Sequence, residues 1–291
     1  MSITLEQSFD DWCAAQLAKH LNKAKDYEFF MKRSAYYRNL HHPETKFFQP
    51  KNSKGEWILP FDPYKYGANG GYPFTEGNGW QYYWYVPQNI PDLIELTGGE
   101  DAFCKRLDEF FTSDETSGAK NDNASGFVGL YAHGNEPSHH IPYLYAWTSQ
   151  PWKTQYWMRE IINRMYRPDI HGLGGNDDCG QMSAWYIFGV LGFYPVCPGS
   201  DQYIIGTPLF KEAKLHLENG KCLTIEAKNN SSANKYIRSI KLNGKNHTLN
   251  YFKHNTLVEG GKIQFFMDNE PNLKRGSTKE AAPYSFSLAN E

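Results

Sequence analysis

A chain of 291 residues is long enough to bury one large domain and a smaller one. Its 30 Lys and Arg nearly balance 32 Asp and Glu, and no basic run is dense enough to track a phosphate backbone, which excludes nucleic acid as a partner. No stretch approaches the roughly 20 apolar residues of a membrane span, the first residues lack the charged start and apolar block of a signal peptide, and five cysteines without CxxC spacing imply neither a disulfide framework nor a zinc site.

In chain order, Leu5, Phe9, Trp12, Cys13, Gln16 and Leu17 fall at helical spacing, so the first expected element is an amphipathic helix from Thr4 to Leu21 with Thr4 and Gln7 as a capping box. A second helix is expected from Ala24 to Leu40, ended by His41, His42, Pro43 and Glu44. Residues 43–76, rich in Gly, Pro, Asn and aromatics, form a long ordered loop of the kind that often carries function. Helical patterns follow at 79–97, 100–113, 138–148, 150–166 and 179–191, joined by turns that contain Gly or Pro.

After Pro198 the texture changes. Tyr203 to Ile205, Ala213 to Leu217, Cys222 to Ala227, Ile237 to Leu242 and Ile263 to Met267 are short, β-branched or alternating, and Asn219-Gly220 and Asn243-Gly244 supply turns. The expected fold is mostly α with a β-rich C-terminal region: part of an (α/α)6 toroid over 1–200 and a small β-sandwich over 201–291.

Aromatic residues make up 16% of the chain, with 20 Tyr and 8 Trp, and many sit beside Gly, Asn, His and carboxylates. Sugars suit such surfaces, because their C–H faces pack on rings while their hydroxyls need amide and carboxylate partners. Three segments concentrate these groups ahead of helices: Tyr72 to Trp80, His133 to His140 and Gly174 to Trp185.

In the first segment, Glu76 lies among Phe74, Trp80 and Tyr82, where poor hydration favours a protonated general acid; the competing role is a helix-capping carboxylate. In the third, Asn176, Asp177 and Asp178 crowd a helix start, where they can cap it, bind a divalent cation or activate water. Capping needs only one of them. The second offers Asn135, Glu136 and Ser138 as hard oxygen donors, beside His133, His139 and His140. Adjacent His139 and His140 do not share a helix face, which argues against zinc and for imidazoles bonded to sugar hydroxyls or carboxylates. A protonated and an ionised carboxyl on opposite sides of a sugar ring define inverting glycoside hydrolysis, and Glu76 and Asp178 are the natural pair.

The runs Thr75-Glu-Gly-Asn-Gly-Trp-Gln-Tyr-Tyr-Trp-Tyr-Val-Pro87, His133 to His140, Gly175 to Tyr186 and Leu191 to Pro208 closely resemble motifs of glycoside hydrolase family 92. The resemblance implies a calcium-dependent, inverting exo-α-mannosidase acting on mannose-containing oligosaccharides or glycoprotein glycans, exported to the periplasm or secreted. It implies an α/α-barrel that follows an N-terminal β-sandwich. Full-length relatives resemble a protein more than twice this size, so the N-terminal domain of the same protein is an expected partner that completes the sugar pocket.

By the same resemblance Glu76 is the proton donor and Asp178 the base. Asp177 takes any assisting role, because Asn176 stands where some members carry an acid. Trp80, His133, Glu136, His139 and Asn176 become the substrate-binding candidates, and Asn135, Glu136 and Asp177 the calcium ligands. Glu rather than Gln at position 76 points to ordinary O-mannosides, whose poor leaving group needs a proton.

Overall fold

The computed structural model describes residues 1–67, 73–114 and 125–286, so Tyr72 of the first motif lies outside the described residues. Helix takes up 38% of the chain and strand 18%, the helices falling mainly before residue 192. Two compact units emerge, Met1–Ser138 joined by Ser285 and Phe286, and His139–Tyr284. The change from helix to strand thus occurs inside the second unit.

In the first unit, α1 (Ser2–His20) packs on α2 (Ala24–Arg33). α1 starts two residues earlier than expected and has no side-chain cap, so the Thr4 and Gln7 box does not form; the Thr4 carbonyl instead accepts from Ser8 Oγ at 2.8 Å. Its buried face runs through Leu5, Ser8, Trp12, Ala15 and Ala18, while Leu17 is 59% exposed. Small residues at 8, 15 and 18 let the neighbouring chain approach, which turns the inward face away from Leu17. The second expected helix is cut at Arg33, where Ser34 Oγ donates back to the Met31 carbonyl at 2.7 Å, and the chain tightens into a 3-10 turn, Tyr36–Leu40.

The expected helix over 79–97 is two helices, α3 (Gly79–Tyr82) and α4 (Ile90–Thr97). Pro87 has no N–H to donate and disfavours helical backbone at Val86, while Pro91 suits the first turn of α4. α5 (Glu100–Thr112) packs on α4, and a hairpin of β1 (Phe127–Val128) and β2 (Tyr131–Ala132) precedes a 3-10 turn at Glu136–Ser138. Trp84, Phe103, Phe110 and Tyr131 are fully buried, and the Arg106 guanidinium stacks within 4.0 Å of the Phe47 ring centroid and 3.9 Å of that of Tyr83. This aromatic mass fixes the short α3.

The second unit opens on Ile141–Trp147. Here the expected α-helix over 138–148 is instead a 3-10 segment in which all seven residues are buried, so no single amphipathic face dictates α winding. Then come α6 (Trp152–Met165) and α7 (Gln181–Leu191). β3 (Phe193–Tyr194), β4 (Gln202–Ile205), β5 (Glu212–His216), β6 (Cys222–Lys228), β7 (Tyr236–Leu242), β8 (Lys245–Asn246), β9 (Tyr251–Lys253), α8 (His254–Val258) and β10 (Gly261–Asp268) complete it. The strands form one sheet in the order β5-β6-β10-β7-β8 and another in the order β3-β4-β9. Phe193, Ile205 and Phe252 of the small sheet share a hydrophobic cluster with Ile225, Ile240, Phe265 and Met267 of the large one.

Two local devices set the sheet register. Asn243 and Gly244, at φ 49° and 81°, make the two-residue turn between β7 and β8. A bulge opposite Phe266 and Met267 adds one residue to β7, so Ile237 and Ile240, three apart, both point inward.

Candidate functional site

Glu76 sits two residues ahead of Asn78, the N-cap of α3. The Asn78 side chain accepts from the Gln81 N–H at 3.0 Å and Gln81 Oε1 accepts from the Asn78 N–H at 3.2 Å. This reciprocal box means α3 does not need the Glu76 carboxylate as its cap.

Glu76 instead adopts a left-handed backbone, φ 51°, a conformation that is uncommon for a long side chain and carries strain. The turn is pinned on every side. Thr75 N–H donates to Ser2 Oγ at 3.2 Å, and Tyr82 Oη donates to the Thr75 carbonyl at 2.9 Å. The Glu76 carbonyl accepts from Asn135 Nδ2 at 2.8 Å and from the Tyr66 hydroxyl, and the Gly77 carbonyl accepts from Gly67 N–H at 2.9 Å. Burial first, and the Glu76 charge second, push the Tyr66 phenol up to about 12, so it stays a donor at neutral pH. The first two motifs thus meet inside one unit, through the Asn135 amide and the backbone of Glu76.

The other expected residues of this unit divide. Glu136 is half-buried at the start of its 3-10 turn, and His133 is wholly buried with Nδ1 2.8 Å from the Tyr131 hydroxyl. Trp80, 6% exposed, lies in the aromatic core with its ring 5.2 Å from Phe47 and 6.5 Å from Phe110.

In the second unit, Asp177 follows the first of the open alternatives and serves the start of α7. Its Oδ1 accepts from both the N–H (3.0 Å) and the hydroxyl (2.9 Å) of Ser183 in the first turn of α7. Asp178 is therefore not needed as a cap, and its exposed side chain has no hydrogen bond or ion pair among the described residues. Asp178, Cys179 and Gly180 carry three successive left-handed backbones, at φ 45°, 59° and 96°. Only Gly180 takes this shape without strain. Asn176 is exposed. His139, 2% exposed, has Nδ1 3.3 Å from Gln181 Nε2 and accepts from Trp185 Nε1 at its carbonyl, 3.0 Å. Gln181 also bonds the Tyr194 phenol, which burial pushes up to about 12.

The Asp177 contact predicts its own test. Asp177→Ala should lower unfolding free energy by about 1 kcal/mol, and Asp177→Asn, which keeps an accepting oxygen, should retain most of it; denaturant titration measures both.

In the first unit Tyr66, Gln81 and Tyr131, and in the second Ser183, make contacts with these residues that the motif reading did not single out. As for a cation, the Asn135 amide is oriented by its bond to Glu76, which leaves Oδ1 as a hard donor beside Glu136. The Asp177 Oδ1 is already engaged by Ser183. Among the described residues no group of three or more His, Cys, Asp or Glu is gathered as a metal cage.

Comparison with known proteins gives a consistent picture. The chain matches the Glycosyl hydrolase family 92 catalytic domain over residues 1–269. It is similar to the family GH92 α-mannosidase from Bacteroides thetaiotaomicron solved in complex with mannoimidazole, at 42% identity and TM-score 0.92, covering 97% of this chain and 38% of that one. A family GH92 inverting mannosidase from Bacteroides thetaiotaomicron VPI-5482 is similar at 40% identity and TM-score 0.88, over 98% of this chain and 39% of that one. A protein of Arthroderma benhamiae described as an uncharacterized secreted glycosidase is 28% identical over 295 residues, 93% of this chain and 36% of that protein. The chain therefore spans less than two fifths of these relatives' lengths.

Proposed function

The chain belongs to glycosyl hydrolase family 92, and from that premise we propose that it hydrolyses terminal α-mannosidic bonds of mannose-containing glycans with inversion at the anomeric carbon. Glu76 is the acid that protonates the departing oxygen, and Asp178 is the base that draws a proton from the attacking water. One observation carries this reading: both acids stand on strained, left-handed backbone just before a helix whose first turn is bonded by another side chain, Asn78 in one case and Asp177 in the other. Strain of this kind gathers at sites where a side chain must be held in one direction. Successive helices that pack in pairs, α1 on α2 and α4 on α5, support a place in an α/α-toroid.

The residues divide the work by their surroundings. Tyr66 and Asn135 hold the Glu76 backbone at its carbonyl, which fixes where the side chain leaves the main chain. Gln181 orients His139, which can hydrogen-bond a sugar hydroxyl. Asn135 and Glu136 would hold calcium, which when bound supplies positive charge to draw two sugar hydroxyl oxygens toward it. Asp177 fits an ion less well because Oδ1 serves α7. If Asp177 also assists chemistry, Asp177→Asn will lower kcat while leaving stability nearly intact. Linkage preference for α-1,2 is part of the proposal, as is a secreted or periplasmic location; the name of the fungal relative supports export.

The test is the anomer released from an α-mannoside followed by proton NMR. β-Mannose appearing first, with a rate that falls on chelation and returns with calcium, supports the proposal; α-mannose appearing first refutes inversion. A chain that binds mannosides without turning them over is the second reading, motivated by the span of under two fifths of the relatives' lengths. Multiple turnovers by this chain would exclude it.

A further inference from the structure

The second unit contains a cavity of about 550 Å³ that plays no part in the proposed mechanism. It is lined by Arg238 of β7, Asn246, Thr248, Lys274, Arg275 and Glu280, among others. Its volume falls in the range of small-molecule sites and suits a mono- or disaccharide.

The cavity wall is built, not incidental. Asn272 Oδ1 accepts from the N–H groups of Lys274 (3.0 Å) and Arg275 (3.2 Å), and its Nδ2 donates to the Arg238 carbonyl at 2.8 Å, tying the 272–275 turn to β7. Asn250, 2% exposed, accepts from Arg275 Nη1 at 3.3 Å and donates to the Gly276 carbonyl at 2.8 Å. Arg275 Nη2 donates to the Leu249 carbonyl at 2.9 Å.

All these acceptors of Arg275 are neutral. Its Nε is sealed from solvent with no hydrogen-bond partner, and among the described residues no carboxylate pairs with it. Burial alone lowers its pKa to about 10, which leaves it charged at neutral pH. Lys274 likewise has no ion-pair partner among the described residues, and Arg238 reaches Asp268 only at 3.7 Å. Against these three cations the lining offers one acid, Glu280, whose charge is met by its own backbone N–H and by Thr278. A half-buried guanidinium held in place by neutral acceptors, with no counter-charge among the described residues, suits an anion.

We propose that this cavity is an accessory site for a sugar that carries an anionic group, a carboxylate or a phosphate. Arg275 and Lys274 face the anion, and Asn246 and Thr248 supply partners for sugar hydroxyls. The site is independent of the carboxylates assigned to hydrolysis.

Calorimetric titration of the whole chain with glucuronate, glucose 6-phosphate, inorganic phosphate and glucose tests it. At least one acidic sugar should bind in a salt-sensitive manner while glucose does not. Glucuronate alone identifies a carboxylate site; glucose 6-phosphate and phosphate together identify a phosphate site. Lys274→Glu, an exposed position whose change leaves the buried wall intact, should weaken that binding by about tenfold, and Glu280→Gln should tighten it. Equal binding of glucose and the acids, or an affinity unmoved by Lys274→Glu, overturns the proposal.

Discussion

Glu76→Gln should lower kcat/KM for an α-linked mannobiose by about 10²–10⁴-fold, the usual contribution of a positioned general acid. With a 4-nitrophenyl α-mannoside the loss should be much smaller, because nitrophenolate departs without a proton. The ratio between the two substrates is the diagnostic quantity. A residue that only shapes the loop would depress both substrates alike, whereas a proton donor is missed in proportion to the basicity of the leaving oxygen. Gln keeps the size of the side chain, and the Tyr66 and Asn135 contacts to the backbone carbonyl at position 76 do not depend on the carboxyl. An equal loss on both substrates would reject Glu76 as the acid.

Asp178 gives the second large effect, and here stability and activity should part company. Asp178→Asn keeps a side chain that tolerates left-handed backbone, so the fold should hold while hydrolysis falls by about 10²–10⁴-fold on every leaving group, since water activation is needed whatever departs. Asp178→Gly should be just as inactive, yet it removes a strained residue at φ 45°. Strain of that type costs on the order of 1–3 kcal/mol, offset in part by the greater freedom of an unfolded glycine, so a net gain of about 1 kcal/mol in unfolding free energy is expected. Chemical denaturation and initial rates on the same samples measure both quantities. A Gly variant that is less stable than the parent would show that the carboxylate holds the loop rather than serving chemistry.

Much of this architecture can be read from the chain without coordinates. β4, β6, β7 and β10 fall within two residues of the runs Tyr203 to Ile205, Cys222 to Ala227, Ile237 to Leu242 and Ile263 to Met267, because inward and outward residues alternate and Asn-Gly pairs mark a turn. Helices went astray where local chemistry overrode periodicity: at Pro87, at the Ser34 back-bond, and in the wholly buried 141–147 segment. The bulge in β7 has no local signature at all.

The site divides in the same manner. That the Asp177-Asp178 pair holds more acid than a helix start needs followed from counting groups, but which of the two serves α7 did not. The answer depends on a backbone curled through Asp178, Cys179 and Gly180 that delivers Asp177, not its neighbour, to Ser183. The capping pair Asn78 and Gln81 has the spacing of a capping box, so its signal was present in the sequence. Tyr66 carried none, since its bond to the Glu76 carbonyl joins residues ten apart in sequence with no regular spacing to mark it.

The three left-handed peptide units ahead of α7 have a corollary for anyone who redesigns this protein. At position 178 the left-handed main chain sets the direction in which the side chain leaves the backbone. A branched β-carbon at 178 or 179 would collide with its own carbonyl oxygen and unwind the curl. Variation that spares the acid while altering its neighbour can therefore silence it, and Asn or Gly at Cys179 are the replacements that the curl accommodates.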